Sequence, residues 1–200
     1  MECFEKPDFR ELTPEKIKAL KRKGIEEKFR TKVRENWDGI AKPIDGMGQF
    51  EVLTAQIGAI LGTDEIDLTR KAVAVLCADN GIVEEGISQS GWEVTAAAAK
   101  SIAEGRSAVG KMAEAIGARV LTVDMGMKKK EPIEGVLDRK IRCGTRNFRR
   151  QPAMTEQETL RSIMVGIQIA KDCKREGCSI LATGEMGIGN TTTSSAVAAA

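Results

Sequence analysis

Apolar residues along this chain recur with two periods, and the switch between them divides it into helices and strands. Ile25, Phe29 and Val33 lie four apart, which predicts one apolar stripe on a helix. Before it, Thr13 reads as an N-cap with Pro14 at the first helical position, and Gly24 reads as the break between two polar helices. After the connector Trp37–Pro43, the segment Gly46–Gly62 predicts an amphipathic helix with Phe50, Leu53, Ile57, Ile60 and Leu61 on one face and Gly62 as its stop. Lys71 then opens an unbroken apolar run from Ala72 to Ala78, the pattern of a parallel strand buried on both sides.

The alternation continues. An Ala-rich helix is predicted over 92–104, with Ser90 and Glu93 spaced as a capping box. A second helix follows, with Val109, Met112, Ala113 and Ile116 on its core face and Gly117 as its stop. Strands are predicted over 119–123 and 136–142. Thr155 and Glu158 form another capping box before a helix whose core face reads Leu160, Ile163, Met164, Ile167 and Ala170. Ile180–Ala182 predicts the last strand, and Asn190 onward the last helix. This order implies an α/β fold, a Rossmann-like, mainly parallel sheet covered by helices. Residues 1–45 read as a helical N-terminal segment belonging to a small domain, and 46–200 as an α/β nucleotide-binding domain.

Composition narrows the chemistry. Among 200 residues, 31 Lys and Arg against 29 Asp and Glu leave a net charge of +2, which gives no sign of nucleic-acid binding by bulk electrostatics. No apolar run is long enough to span a bilayer, and the first residues lack an apolar signal segment. The five cysteines form no C-x-x-C pair and read as free thiols of a cytoplasmic protein. There is no His and no Tyr, so acid–base work falls to carboxylates, Lys or Cys.

Two loops carry candidate chemistry. Gly184, Gly187 and Gly189 precede Asn190 and Thr191, so a strand, a glycine loop and a helix start follow one another, which is an anion-binding arrangement. The spacing approaches a P-loop, but Asn190 stands where such a loop has Lys, which favours a single phosphate over a triphosphate. Glu185 adds a carboxylate that can face an electron-poor sugar carbon. The other loop, Asp79–Gly91, lies beyond the carboxyl end of a strand, where open sheets bind ligands, and offers Asp79, Asn80, Glu84, Glu85, Ser88 and Ser90. Asp124 lies at another strand end. Arg146, Arg149 and Arg150 form a basic loop that reads either as a solvated surface or as a phosphate contact.

The segment Gly184-Glu-Met-Gly-Ile-Gly-Asn-Thr-Thr-Thr193 closely resembles the signature of the nicotinate-nucleotide–dimethylbenzimidazole phosphoribosyltransferase family. Cys77–Ser90 with Glu93-Val-Thr95, and Val123-Asp-Met-Gly126, resemble two further segments of it, and the resemblance extends from roughly residue 46 to 200. It implies transfer of ribose 5-phosphate from nicotinate mononucleotide to 5,6-dimethylbenzimidazole or a similar aromatic base, with no cofactor, no metal and a homodimeric enzyme. Carried over residue by residue, it places Glu185 beside the reacting ribose. Gly184, Gly187, Gly189, Asn190 and Thr191 hold the mononucleotide, Ser90 lies near the base pocket, and Asp79 shapes the same loop. The chain departs from many relatives in reading Asp79-Asn80-Gly81 where they read Asp-His-Gly, and a base-pocket Gln of some relatives falls near Ala98. The accepted base can therefore be a purine or another aromatic. The family's principal catalytic glutamate falls beyond residue 200, and Ala200 ends inside an apparent helix. On this reading the chain is a fragment and inactive alone. The competing expectations are a non-catalytic nucleotide-binding or assembly module and a different phosphoribosyl enzyme with the same phosphate loop.

Overall fold

The computed structural model describes residues 4, 6–10, 12–20 and 24–200. The parts of the expected N-terminal helices at 1–3, 5, 11 and 21–23 lie outside them, as does Cys3. The chain forms two compact units, one of residues 1–18 and 69–200, the other of residues 19–68. Residue 45, where the pattern suggests a division, lies inside the second unit.

The second unit is a helix pair, α2 (Glu27–Asp38) and α3 (Gln49–Leu61). Helix α2 begins after Ile25, which is exposed, and runs through Trp37 and Asp38, both expected in the connector. Helix α3 ends at Gly62, as expected, in the left-handed conformation that glycine adopts at no steric cost. Its buried face differs from the expected one. Glu51, Ala55, Gly58 and Ala59 are buried, while Phe50, Leu53 and Ile60 are exposed. Close approach decides this. A Cβ at Gly58 would lie 2.6 Å from Val33 Cγ2, so the small residues, not the large ones, face α2. Glu51 is fully buried and is held by Lys42 at 2.9 Å and by the Met47 N–H at 3.0 Å.

The first unit begins with the short α1 (Pro14–Lys18), capped by Thr13, whose hydroxyl accepts from the Lys16 N–H. Its centre is a four-stranded sheet of β1 (Lys71–Ala78), β2 (Ala118–Gly126), β3 (Val136–Asp138) and β4 (Ile180–Met186), in the order β3-β2-β1-β4 with every pair parallel. Parallel strands need crossovers, supplied by α4 (Glu93–Ala103) with α5 (Ala108–Ala115) between β1 and β2, and by α6 (Glu156–Arg175) before β4. A last helix, α7 (Asn190–Ala199), follows β4. The α/β reading therefore holds. Strand β3 is shorter than the expected 136–142, and β4 runs through Gly184 and Glu185, which the glycine spacing assigns to the loop.

Strand β1 shows why its sequence is apolar throughout. Ala72 and Ala74 pack with Leu121, Val123, Val165, Ile169 and Cys173 on the α6 side. Val75 and Cys77 pack with Ala96, Ala99, Ile102 and Met127 on the α4 side. Successive side chains point to opposite faces, and both faces are covered. Each fully buried branched side chain contributes about 1.5–3 kcal/mol. Strand β4 lies at one edge of the sheet, and Ala182, Thr183 and Glu185 are exposed or partly exposed on it.

Helix α6 starts at the expected capping box, with the Thr155 hydroxyl accepting from the Glu158 N–H and the Glu158 carboxylate accepting from the Thr155 N–H. Its core face is Leu160, Val165, Ile169 and Cys173 with Asp172, whereas Ile163 is exposed and Ala170 is not among the buried residues. In α5, Met112 and Ile116 are exposed, because the helix packs through Gly110 and Ala113. The Ser90–Glu93 capping box does not form. Trp92 occupies the N-cap position of α4 in a helical conformation, without a side-chain cap.

Candidate functional site

The connectivity places the site. From β1 the chain moves to β2 and β3 on one side of the sheet, then returns through α6 to β4 on the other side of β1. The strand order thus reverses between β1 and β4, and such a reversal opens a crevice outside the carboxyl ends of the two strands. The loops that leave β1 and β4, Asp79–Gly91 and Gly187–Gly189, meet there.

The β4 loop is short because it is pressed against β1. A Cβ on Gly187 would overlap the Ala78 carbonyl oxygen, and one on Gly189 would lie 2.8 Å from Val83 Cγ2. Gly189 also has φ +83°, a left-handed conformation, and it forms the N-cap of α7 with no side chain capping the helix. Within the first turn of α7 the Asn190 N–H donates to the Gly187 carbonyl (3.0 Å) and the Thr193 N–H to that of Gly189 (3.3 Å), which leaves the N–H groups of Thr191 and Thr192, at the positive end of the helix dipole, as the donors for an anion. Side chains fix the loop from both sides. Asn80 Nδ2 donates to the Ile188 carbonyl (3.1 Å), Thr193 Oγ1 donates to Asn80 Oδ1 (3.0 Å), and the Ile188 N–H donates to Thr95 Oγ1 (3.2 Å).

Glu185 lies on the α6 side of β4, beside a cleft of ≈ 440 Å³. The cleft has apolar walls from Leu76, Met125, Ile141 and Met154, and its polar rim includes Arg142, Thr145, Ser162 and Thr183. Glu185 is exposed, and one of its carboxylate oxygens accepts from the Ser194 hydroxyl at 3.1 Å. Gly184 also lines the cleft, opposite Val75 in the sheet register.

Asp79 and Ser90 are placed otherwise. The Asp79 side chain is buried, and Oδ2 accepts from the Lys128 N–H at 2.7 Å while the Asp79 carbonyl accepts from the Thr145 N–H at 2.9 Å. It ties the β1 loop to the segments after β2 and β3. Ser90 is half-buried next to α4, with its N–H donating to Ser88 Oγ at 3.1 Å. Neither lines the Glu185 cleft. The basic loop is taken up by carboxylates. Arg146 pairs with Glu158 (2.8 Å), and Arg149 and Arg150 pair with Glu85 (2.6 and 3.2 Å). The Arg146 guanidinium, the Thr155 N–H and Arg142 hold the Glu158 carboxyl down at about 2. The Asn147 amide, together with Arg149 and Arg150, likewise lowers Glu85.

Arg142, Thr145 and Ser162 escape a reading of the sequence. They lie on two segments, the loop after β3 and helix α6, and only the positions of Arg142 at the end of the expected third strand and of Thr145 in the basic loop give any signal. Among the described residues no group of three or more His, Cys, Asp or Glu side chains comes together as a metal site. No helix among them is long and apolar enough to cross a membrane.

The comparisons with known proteins converge on one family. The chain is 41% identical over 165 residues to the nicotinate-nucleotide–dimethylbenzimidazole phosphoribosyltransferase of Acetivibrio thermocellus, covering 82% of this chain and 47% of that protein. It is 38% identical over 184 residues to the protein of the same name from Ruminiclostridium cellulolyticum, covering 92% and 52%. The fold is similar to the crystal structure of the Thermus thermophilus enzyme of that name, with a TM-score of 0.77 and 36% identity over 82% of this chain and 50% of that one. The chain spans about half the length of the curated relatives it matches. The family model described as phosphoribosyltransferase matches residues 23–200, and the chain belongs to that family.

Proposed function

We propose that this chain provides the mononucleotide-binding half of an enzyme that moves ribose 5-phosphate from nicotinate mononucleotide to 5,6-dimethylbenzimidazole or a similar aromatic base. The products are α-ribazole 5′-phosphate and nicotinate, as cobalamin nucleotide-loop assembly requires. The relatives' names support the reaction. The observation that carries it here is Glu185 at the carboxyl end of β4, just before the open N-terminus of α7.

The chemistry suits these groups. The phosphate of the mononucleotide lies against the N–H groups around Gly187, Gly189, Asn190 and Thr191, and Asp79 acts by holding the neighbouring loop. A ring nitrogen of the base attacks C1′ as the bond from C1′ to the nicotinate nitrogen breaks. The bonding pair stays on that nitrogen, which changes from cationic to neutral. Positive charge grows at C1′ in the transition state, and the Glu185 carboxylate stabilises it. The N–H proton of the attacking base passes to a second carboxylate. The family resemblance places that carboxylate beyond residue 200, so on this reading the 200 residues alone do not turn over. The reading includes a cytoplasmic homodimer, and the exposed stripe of Phe50, Leu53 and Ile60 on α3 is consistent with a protein contact in such an assembly.

The test uses a protein of the relatives' full length carrying these residues. It releases nicotinate from nicotinate mononucleotide only when an aromatic base is added, and failure of every base to cause release would sink the reading. Glu185→Gln lowers kcat by about 10²-fold or more while leaving mononucleotide affinity within about twofold. An unchanged kcat would remove Glu185 from the reaction.

A further inference from the structure

One buried polar side chain at the crevice has no part in the proposed reaction. Asn80 is 7% exposed, follows β1 closely and lies 108 residues before the loop residue it grips. The orientation of its amide is fixed by its partners. The Ile188 carbonyl can only accept, so it takes the NH₂ end, and the oxygen is left to accept from the Thr193 hydroxyl. One planar group thus ties the peak of the β4 loop to the first turn of α7. Thr95, fully buried on α4, takes the other side of the same residue through the Ile188 N–H.

From this geometry we infer that Asn80 is the positioning residue of the anion-binding turn. With Thr193 and Thr95 it sets the direction of the N–H groups of Gly189 and the first turn of α7, and so sets affinity for a phosphate monoester without touching it. Three constraints meet on Ile188 and its neighbours. Its carbonyl and N–H are each held by a buried side chain, and Gly187 and Gly189 are packed against β1 and Val83 with no room for a Cβ. A loop so held is preorganised, and preorganisation appears as binding strength. Removing the amide leaves the partly buried Ile188 carbonyl without its donor and leaves the Thr193 hydroxyl only its longer contact with the Gly189 carbonyl (3.4 Å), and a polar group that loses its partner away from water is costly.

The inference rests on the reaction proposed above, and two measurements keep the fates of the two ideas apart. In the full-length protein, Asn80→Ala raises KM for nicotinate mononucleotide about tenfold or more, with KM for the base changed less than about twofold. Asn80→Asp does at least as much damage despite its shape, because it places an oxygen against the Ile188 carbonyl. Thr193→Val reproduces the loss and Thr193→Ser, which keeps the hydroxyl, restores affinity. Combined with Asn80→Ala, Thr193→Val adds little, as coupled partners require. Calorimetry with nicotinate mononucleotide and with inorganic phosphate reads the same loss without turnover. Equal mononucleotide affinity in Asn80→Ala and the parent, or fully additive losses, would overturn the inference. If the parent releases no nicotinate with any base, the reaction falls, and hydrogen exchange then judges the clamp. The amides of Ile188 and Asn190 exchange faster in Asn80→Ala if the clamp exists, and unchanged exchange refutes it.

Discussion

At Gly187 the polypeptide approaches a neighbouring strand so closely that any side chain would collide with the Ala78 carbonyl oxygen. Gly187→Ala should therefore move the loop, cost about 1–3 kcal/mol of stability and weaken the mononucleotide more than the base. Thermal unfolding and calorimetry on one sample check both parts, and a variant with parental stability and affinity would contradict this account. Glycines at such approaches are legible in a sequence because no other residue fits, which is why Gly187, Gly189 and the adjacent Glu185 stand out. Gly184 shows the limit of that logic. It lies within β4, where an added Cβ would meet Val75 Cγ2 at an ordinary 3.4 Å, so its spacing from the other glycines carries no information about the loop. The double hold of Asn80 is not legible either, since its partners are more than a hundred positions away and are set by the strand order.

For the elements, the strands and helices follow the hydrophobic pattern, but the faces of three helices, α3, α5 and α6, do not. In α3 and α6 more than one stripe is apolar, and the partner decides which is buried. Contact between α2 and α3 selects Gly58 and Ala55, and the sheet selects Val165 and Ile169. Periodicity measures amphipathicity and cannot weigh the room available opposite each stripe. The start of α6 is legible because a capping box is local. The same Glu158 has a second duty that is not, as it receives Arg142 and Arg146 from the loop after β3. Its carboxyl titrates at about 2 in the folded chain against 4.5 ordinarily. A carboxyl so lowered stabilises the fold fully above its ordinary value and loses that contribution as pH falls from 4.5 toward 2. Denaturant titrations at successive pH values should show the parent losing stability across this window more steeply than Glu158→Gln. Equal slopes would show that the arginine contacts do not bear on stability.

Across the whole molecule, a sheet covered on both faces divides the cysteines by depth. Cys77 is fully buried between β1 and α4, and burial pushes its thiol up to about 12, with the charges of Asp124 and Asp79 adding to the effect. Cys143 is exposed on the loop after β3. A thiol reagent at neutral pH should modify Cys143 well before Cys77, which it spares until the chain unfolds, as peptide mapping after timed labelling would show. Early labelling of Cys77 would mean that the α4 face opens under native conditions. The position of the crevice is a property at this scale as well. It follows from the reversal between β1 and β4, which the order of elements suggests and only the strand order establishes.

Strand β4 has a further property. It is hydrogen-bonded to β1 along one side and forms the border of the sheet along the other, and it carries Glu185 near its carboxyl end. A border of this kind is a ruler for whatever joins it. A parallel strand added there would be set residue by residue against Ile180–Met186, and its own carboxyl-terminal side chains would be delivered beside Glu185. A slip of one position would turn every one of those side chains to the opposite face of the sheet. The border therefore fixes which outside groups can share the cleft with Glu185, through main-chain hydrogen bonds that carry no sequence preference of their own.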